Sequence, residues 1–120
     1  MKVLIVEDEI LIALDLERMV QDLGYQVVCI ATSASEAISQ AATHRPDVVL
    51  MDIRLSGGSS GIDAAREIYA RQALRCIFIS ANLDDATRRA VLPYDPIAFV
   101  GKPVLPIVLQ SALCKADGIS

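Results

Sequence analysis

Short apolar runs alternate with longer amphipathic stretches along the whole chain. The runs are four or five residues long and rich in Val and Ile, which is typical of strands buried on both faces of a sheet. The pattern predicts five strands, over residues 3–6, 26–30, 47–51, 75–79 and 97–100.

The longer stretches carry apolar residues at helical spacing. In the first of them Ile12 and Leu16 lie on one stripe, and Gly24 follows the predicted end of the helix. Ser33 is a candidate cap for the second helix, and Glu36 would complete a capping box. The spacing predicts five helices, over residues 10–23, 33–44, 62–72, 84–91 and 106–116.

This alternation of strands and helices predicts an α/β fold with a parallel sheet and right-handed crossovers. A length of 120 residues is short for more than one domain, so we expect residues 1–120 to form a single domain with no effector domain in this chain. At this size the expected architecture is the flavodoxin-like doubly wound sheet, with strand order 2-1-3-4-5.

The composition excludes several classes of protein. An apolar fraction of 53% is too high for a disordered chain, and a net charge of -4 with 4% aromatic residues argues against nucleic-acid binding. No apolar run approaches the roughly 20 residues of a membrane span and no targeting signal is evident, so we predict no membrane association and a cytoplasmic protein. Cys29, Cys76 and Cys114 are widely spaced and are interpreted as small buried residues.

Charged and hydroxyl side chains follow four of the predicted strands where these end. Glu7 and Asp8 follow the first strand, and Asp52 follows the third. Ser80 follows the fourth strand, and Lys102 follows the fifth. In an open parallel sheet these ends meet at one edge, where ligands bind. Taken singly, each acid could instead be a helix cap or a solvated turn, and Lys102 a surface charge.

Three carboxylates at one edge repel one another unless a cation neutralises them. Carboxylate oxygens without His or Cys nearby favour Mg²⁺. Mg²⁺ held by few protein ligands leaves room for phosphate oxygens, for which Lys102 and Ser80 are suitable partners. The residues therefore predict a site for Mg²⁺ and a phosphoryl group, with a carboxylate available as nucleophile.

The chain resembles the receiver domains of two-component response regulators over essentially its whole length. The matching segments are residues 4–9 (LIVEDE), 48–55 (VVLMDIRL), 79–81 (ISA) and 99–103 (FVGKP). Each motif is weak alone, and together they are highly specific. The resemblance implies a phosphoacceptor signalling domain, not an enzyme beyond its own phosphorylation and dephosphorylation. It also implies a histidine kinase or a phosphotransfer protein as phosphoryl donor.

The resemblance also assigns roles to the residues at the strand ends. Asp52 is implied as the phosphoacceptor. Asp8 and Asp52 are implied as Mg²⁺ ligands, with Glu7 assisting through water and Arg54 lending its backbone carbonyl. Lys102 matches the phosphate-binding lysine.

A switch is implied as well. Ser80 matches the switch hydroxyl, Phe99 matches the switch aromatic, and the Lys102–Pro103 peptide is implied to be cis. We expect phosphorylation to draw Ser80 toward the phosphoryl group and to let Phe99 enter the vacated space. The fourth helix, fifth strand and fifth helix would then bind a protein partner or a second copy. The fifth helix cannot bury all of residues 107–109 (IVL) on one stripe, which supports such a surface.

The chain departs from the receiver pattern in two segments. Ser56 stands where receivers often carry Pro, and the glycine-rich loop 56–61 is one residue longer than in the commonest receivers. Residues 92–96 (LPYDP) replace the usual Gly-Ala turn before the fifth strand, so we expect a short fourth helix with a stiff exit.

Two other functions are compatible with an Asp after a strand of this fold. An aspartyl-nucleophile phosphatase would place a second acid two residues after Asp52, where this chain has Arg54. A flavin-binding electron carrier would need a hydroxyl-rich phosphate loop where this chain has residues 7–9 (EDE), and aromatic residues to enclose the ring. The sequence is compatible both with a free-standing receiver and with a piece of a longer regulator or hybrid kinase.

Overall fold

Five parallel strands form one sheet in the order β2-β1-β3-β4-β5. The computed structural model describes residues 1–55 and 60–118. The observed order is the predicted flavodoxin-like order, and each strand lies within about one residue of its predicted position. The strands are β1 Lys2–Val6, β2 Gln26–Ala31, β3 Val48–Asp52, β4 Cys76–Ser80 and β5 Ala98–Gly101.

Helices follow the strands in turn and cover both faces of the sheet. They are α1 Ile10–Asp22, α2 Ala34–His44, α3 Gly61–Gln72, α4 Asp85–Val91 and α5 Pro106–Ala116. A 3₁₀ turn, Leu92–Tyr94, extends α4. The short fourth helix is thus confirmed, because proline has no backbone N–H to continue a helical ladder and Pro93 lies in this turn.

The core lies in two layers, one on each face of the sheet. One layer packs α2 and α3 against residues such as Leu4 and Met51, and the other packs α1 and α5 against residues such as Ile5 and Leu50. Successive residues of β1 and β3 therefore point into different layers, and both layers exclude water. This arrangement explains why the apolar runs are continuous instead of alternating with polar residues.

The predicted cap at Ser33 is present, and α4 has a side-chain cap as well. Ser33 Oγ accepts from the backbone N–H of Glu36 at 3.2 Å, and Asp84 accepts from the backbone N–H of Thr87 at 2.8 Å. The predicted capping box is wrong in its other half, because the Glu36 carboxylate accepts from the hydroxyl of Thr32 at 3.3 Å. Of the predicted loop 56–61, residues 56–59 lie outside the described residues.

The prediction of three buried cysteines is right for one of them. Cys76 lies in a central strand and is buried, whereas Cys29 and Cys114 are half-buried. Cys29 lies on the edge strand β2, which is covered less completely than the central strands. No helix among the described residues is both long and apolar enough to cross a membrane.

Candidate functional site

The polar residues predicted to converge do so at the carboxyl edge of the sheet. Asp52 and Ser80 are the last residues of β3 and β4, which pair in parallel. Glu7 follows β1, the neighbour of β3 on one side, and Lys102 follows β5, the neighbour of β4 on the other. Four adjacent strands therefore supply one site.

Three carboxylates form the centre of this site. Glu7, Asp8 and Asp52 each offer an oxygen, and these oxygens lie within 4.8 Å of one another. Glu7 and Asp52 are buried, while Asp8 is half-buried at the mouth of the site. Only hard oxygen donors are in this cluster, which is the ligand chemistry that Mg²⁺ prefers.

Lys102 joins two of the three acids. Its Nζ donates to Glu7 Oε1 at 2.9 Å and to Asp52 Oδ2 at 3.1 Å. Its backbone N–H donates to the carbonyl of Ser80 at 3.0 Å, which fixes the lysine to the end of the neighbouring strand. The Lys102–Pro103 peptide is cis, as the resemblance implied. One ammonium thus offsets part of the charge of two buried carboxylates.

Burial and the close spacing of these charged groups shift the pKa values of Glu7 and Lys102. Burial raises the pKa of Glu7 from 4.5 to about 7, and the nearby Asp52 carboxylate adds to the increase against the effect of Lys102. Burial lowers the pKa of Lys102, but its bonds to Glu7 and Asp52 outweigh that effect and leave it raised. Lys102 is therefore charged near neutral pH.

The raised pKa of Glu7 predicts a pH dependence for the metal-free protein. The folded state binds this proton more tightly than the unfolded state, so the resulting stabilisation is complete below about pH 4.5 and is lost as pH rises through about 7. We expect the free energy of unfolding of the parent to fall relative to that of Glu7→Gln between these limits. Urea unfolding of both proteins, with chelator present, measures the difference. Parallel pH profiles would contradict the assignment.

Arg54 contacts Asp52 through its backbone. Its N–H donates to Asp52 Oδ1 at 3.2 Å, while Lys102 occupies the other carboxylate oxygen. Both oxygens of the candidate nucleophile are thus oriented by the protein. The role of the Arg54 carbonyl as a metal ligand stays a prediction.

Ser80 is the last residue of β4, and Phe99 lies in β5, the strand that pairs with it. Ser80 Oγ accepts from the backbone N–H of Asn82 at 3.1 Å and donates to the carbonyl of Asn82 at 3.2 Å, so it is turned into its own loop. Phe99 stacks on the buried Phe78 with 6.1 Å between ring centroids. Arg88 lies over the Phe99 ring, 4.8 Å from its centroid.

Gly61 belongs to the site, and sequence reasoning treated it only as part of a loop. A Cβ atom at this position would lie 2.0 Å from the backbone oxygen of Asp52. The N–H of Gly61 donates to the carbonyl of Ile53 at 2.9 Å, so α3 begins directly against the residues around Asp52. A glycine directly before the predicted helix 62–72 is the signal that could have identified this close approach.

Comparison with known proteins agrees with the geometry of the site. The family model for the response regulator receiver domain matches residues 3–114, and the chain belongs to this family. The chain is 35% identical over 116 residues to the phyllosphere-induced regulator PhyR of Methylorubrum extorquens, an alignment that covers 96% of this chain and 43% of the relative. The chain therefore spans less than half the length of that relative.

Two solved structures show the same fold. The receiver domain of a modulated diguanylate cyclase from Desulfovibrio desulfuricans superposes with a TM-score of 0.86 at 34% identity, over 96% of this chain and 91% of that one. The anti-anti-sigma factor PhyR from Bartonella quintana superposes with a TM-score of 0.81 at 38% identity, over 98% of this chain and 47% of that one.

Proposed function

We propose that Asp52 accepts a phosphoryl group from a histidine kinase or a phosphotransfer protein in a Mg²⁺-dependent reaction. Phosphorylation then changes the affinity of the domain for a protein partner. The observation that carries this proposal is the buried Asp52 carboxylate, held between the ammonium of Lys102 and the backbone N–H of Arg54 at the edge where four strands end.

The chemistry that this arrangement supports is nucleophilic substitution at phosphorus. An oxygen of Asp52 attacks the phosphorus atom, the bond from phosphorus to the donor breaks, and its electron pair stays with the donor. The product is an acyl phosphate on Asp52. Lys102 already contacts the acceptor carboxylate and is placed to pair with an oxygen of the transferred group.

The three acids fit a divalent cation by their chemistry and spacing. Asp8 and Asp52 would bind Mg²⁺ directly, with Glu7 acting through water and Arg54 offering its carbonyl. When bound, the ion reduces the repulsion between the acids and the incoming phosphoryl oxygens. Asp8 is the most accessible of the three carboxylates, which suits a ligand at the mouth of the site.

Removing Lys102 is expected to strengthen metal binding. Its ammonium competes with a cation for Glu7 and Asp52, so Lys102→Ala should bind Mg²⁺ up to about tenfold more tightly, equivalent to about 1.4 kcal/mol. The same variant should respond poorly to phosphorylation, since the phosphoryl group loses its ion pair. Calorimetric titration with Mg²⁺ measures the affinity, with Lys115→Ala as a surface control. A large loss of affinity in Lys102→Ala would mean that the lysine organises the acids instead of opposing the metal.

The output surface we propose is formed by α4, β5 and α5. Ile107 is 70% exposed and Val108 is 39% exposed, whereas Leu109 is fully buried, as the helical spacing requires. Phe99 lines a cavity of about 260 Å³ together with Ile107 and Val108. A move of Phe99 would therefore reshape a surface that carries exposed apolar groups. Because one PhyR relative is an anti-anti-sigma factor, we favour a protein, or a second copy, as the occupant.

Intact mass measurement tests the proposed reaction. We expect the chain to gain the mass of one phosphoryl group when it is incubated with acetyl phosphate and Mg²⁺. Chelation of the metal should prevent the gain, because the acids then repel the incoming anion. No added mass under any Mg²⁺ concentration would refute the proposal, and equal gain with chelator would refute its metal dependence.

A further inference from the structure

We propose that Arg88 is a positioning residue that holds the switch in its resting arrangement. The inference rests on the proposed function and adds to it a side chain outside the acceptor site. Arg88 lies on α4, contacts the ring of Phe99 and binds the loop that carries the neighbours of Ser80. It therefore joins the two parts of the chain that phosphorylation is expected to move.

The guanidinium of Arg88 has two distinct contacts. Its Cζ lies 4.8 Å from the centroid of the Phe99 ring, within the range of a cation–π interaction. Its Nε donates to the carbonyl of Leu83 at 3.1 Å. The hydrogen bond fixes the plane of the guanidinium and so keeps it over the ring. Phe99 therefore contacts both the exposed Arg88 and the buried Phe78.

A short series of hydrogen bonds leads from Leu83 back to the switch hydroxyl. Residues 81–84 form the β4–α4 loop, in which Ser80 Oγ makes two bonds to the backbone of Asn82. The Asn82 side chain donates to Asp84 Oδ2 at 3.4 Å, and Asp84 caps α4 through the N–H of Thr87. The conformation of this loop thus sets the position of the Leu83 carbonyl.

The two contacts of Arg88 cannot persist if the switch moves. When Ser80 turns toward a phosphoryl group it must leave Asn82, and the loop that positions the Leu83 carbonyl changes. When Phe99 moves into the space that Ser80 vacates, its ring leaves the guanidinium. Arg88 therefore stabilises the resting state selectively, and a group that interacts with only one of two states shifts the equilibrium between them.

The expected effect follows from the strength of an exposed cation–π pair. Removing the guanidinium should increase the population of the switched state about two- to five-fold. The affinity for a phosphoryl mimic that binds the switched state should rise by the same factor, because apparent affinity scales with the competent fraction. Arg88→Lys keeps a cation but not the planar donor, so an intermediate effect is expected.

Phenylalanine rotamers give a direct readout in the unphosphorylated, metal-free protein. The chain has only two phenylalanines, and the fully buried Phe78 provides an internal reference for Phe99. In protein labelled at phenylalanine, three-bond couplings report the χ1 angle of Phe99. We expect the Phe99 side chain to exchange more between χ1 rotamers in Arg88→Ala than in the parent. Arg89 is an exposed arginine on the same helix, and Arg89→Ala should leave the couplings unchanged. Titration with beryllofluoride in the presence of Mg²⁺ then measures the affinity of each variant for this phosphoryl mimic.

The outcomes separate this inference from the proposed function. Unchanged χ1 couplings and unchanged beryllofluoride affinity in Arg88→Ala would overturn the role of Arg88, provided that the parent binds the mimic. The same change in Arg89→Ala as in Arg88→Ala would also overturn it, since the effect would then belong to α4 as a whole. Failure of the parent itself to take up acetyl phosphate would instead refute the proposed function.

Discussion

Asp52→Asn is expected to gain no phosphoryl group from acetyl phosphate under conditions in which the parent gains one. The amide is similar in size and shape to the carboxylate, but its oxygen is a weak nucleophile and it carries no charge for the reaction. Asp52 is buried and bonded to Lys102 and to the backbone of Arg54, so the substitution tests chemistry at a position whose geometry is fixed. Intact mass before and after incubation measures the result.

A matched surface variant shows whether the loss is specific. Asp63→Asn changes an exposed acid on α3 and should be phosphorylated like the parent. In Asp52→Asn the pKa of Glu7 should also fall, because the neighbouring carboxylate contributes to its increase. Equal mass gain in Asp52→Asn and in the parent would show that another residue is the acceptor.

Gly61→Ala is expected to destabilise the fold by about 3 kcal/mol, which lowers the melting temperature by about 10 °C. The added Cβ would lie 2.0 Å from the backbone oxygen of Asp52, and backbone atoms cannot move aside as a flexible side chain can. Relief requires α3 to shift away from β3. Because that shift also moves the acceptor, phosphorylation should slow as well.

Gly101→Ala is the matched control for Gly61→Ala. A Cβ at Gly101 meets nothing within 4 Å, so this substitution should change the free energy of unfolding by less than about 0.5 kcal/mol. Chemical denaturation of both variants measures the difference. Similar stability of the two alanine variants would contradict the close packing of α3 against the end of β3.

The strands and the residues at their ends could be predicted from the sequence because both follow from local pattern. Continuous apolar runs indicate strands buried on two faces, and parallel strands necessarily bring their carboxyl ends together. This reasoning places Asp52, Ser80 and Lys102 at one edge without knowledge of any distance. The family resemblance then assigned their roles.

The sequence could not predict side-chain contacts between segments that are far apart along the chain. Lys102 and Glu7 are 95 positions apart, and their hydrogen bond requires the register of four strands to be known. The contact of Arg88 with Phe99 depends on the tilt of a helix of seven residues. The incomplete burial of Cys29 follows from the strand order, which leaves β2 at an edge.

Lys102, which contacts two residues of the acid cluster, directly follows β5, and β5 is an edge strand of the sheet. Edge strands open more readily than central ones, so β5 is a natural place for local unfolding to begin. If β5 and α5 detached, Glu7 and Asp52 would keep their positions on the central strands but lose their shared cation. The remaining structure would hold two carboxylates that repel each other. The free energy of this opening is therefore higher than the loss of backbone hydrogen bonds alone would make it. The acid cluster thus resists fraying of the edge that supplies its lysine. The protection factors of the β5 amides, which correct for the intrinsic pH dependence of exchange, should therefore be highest where both acids are charged.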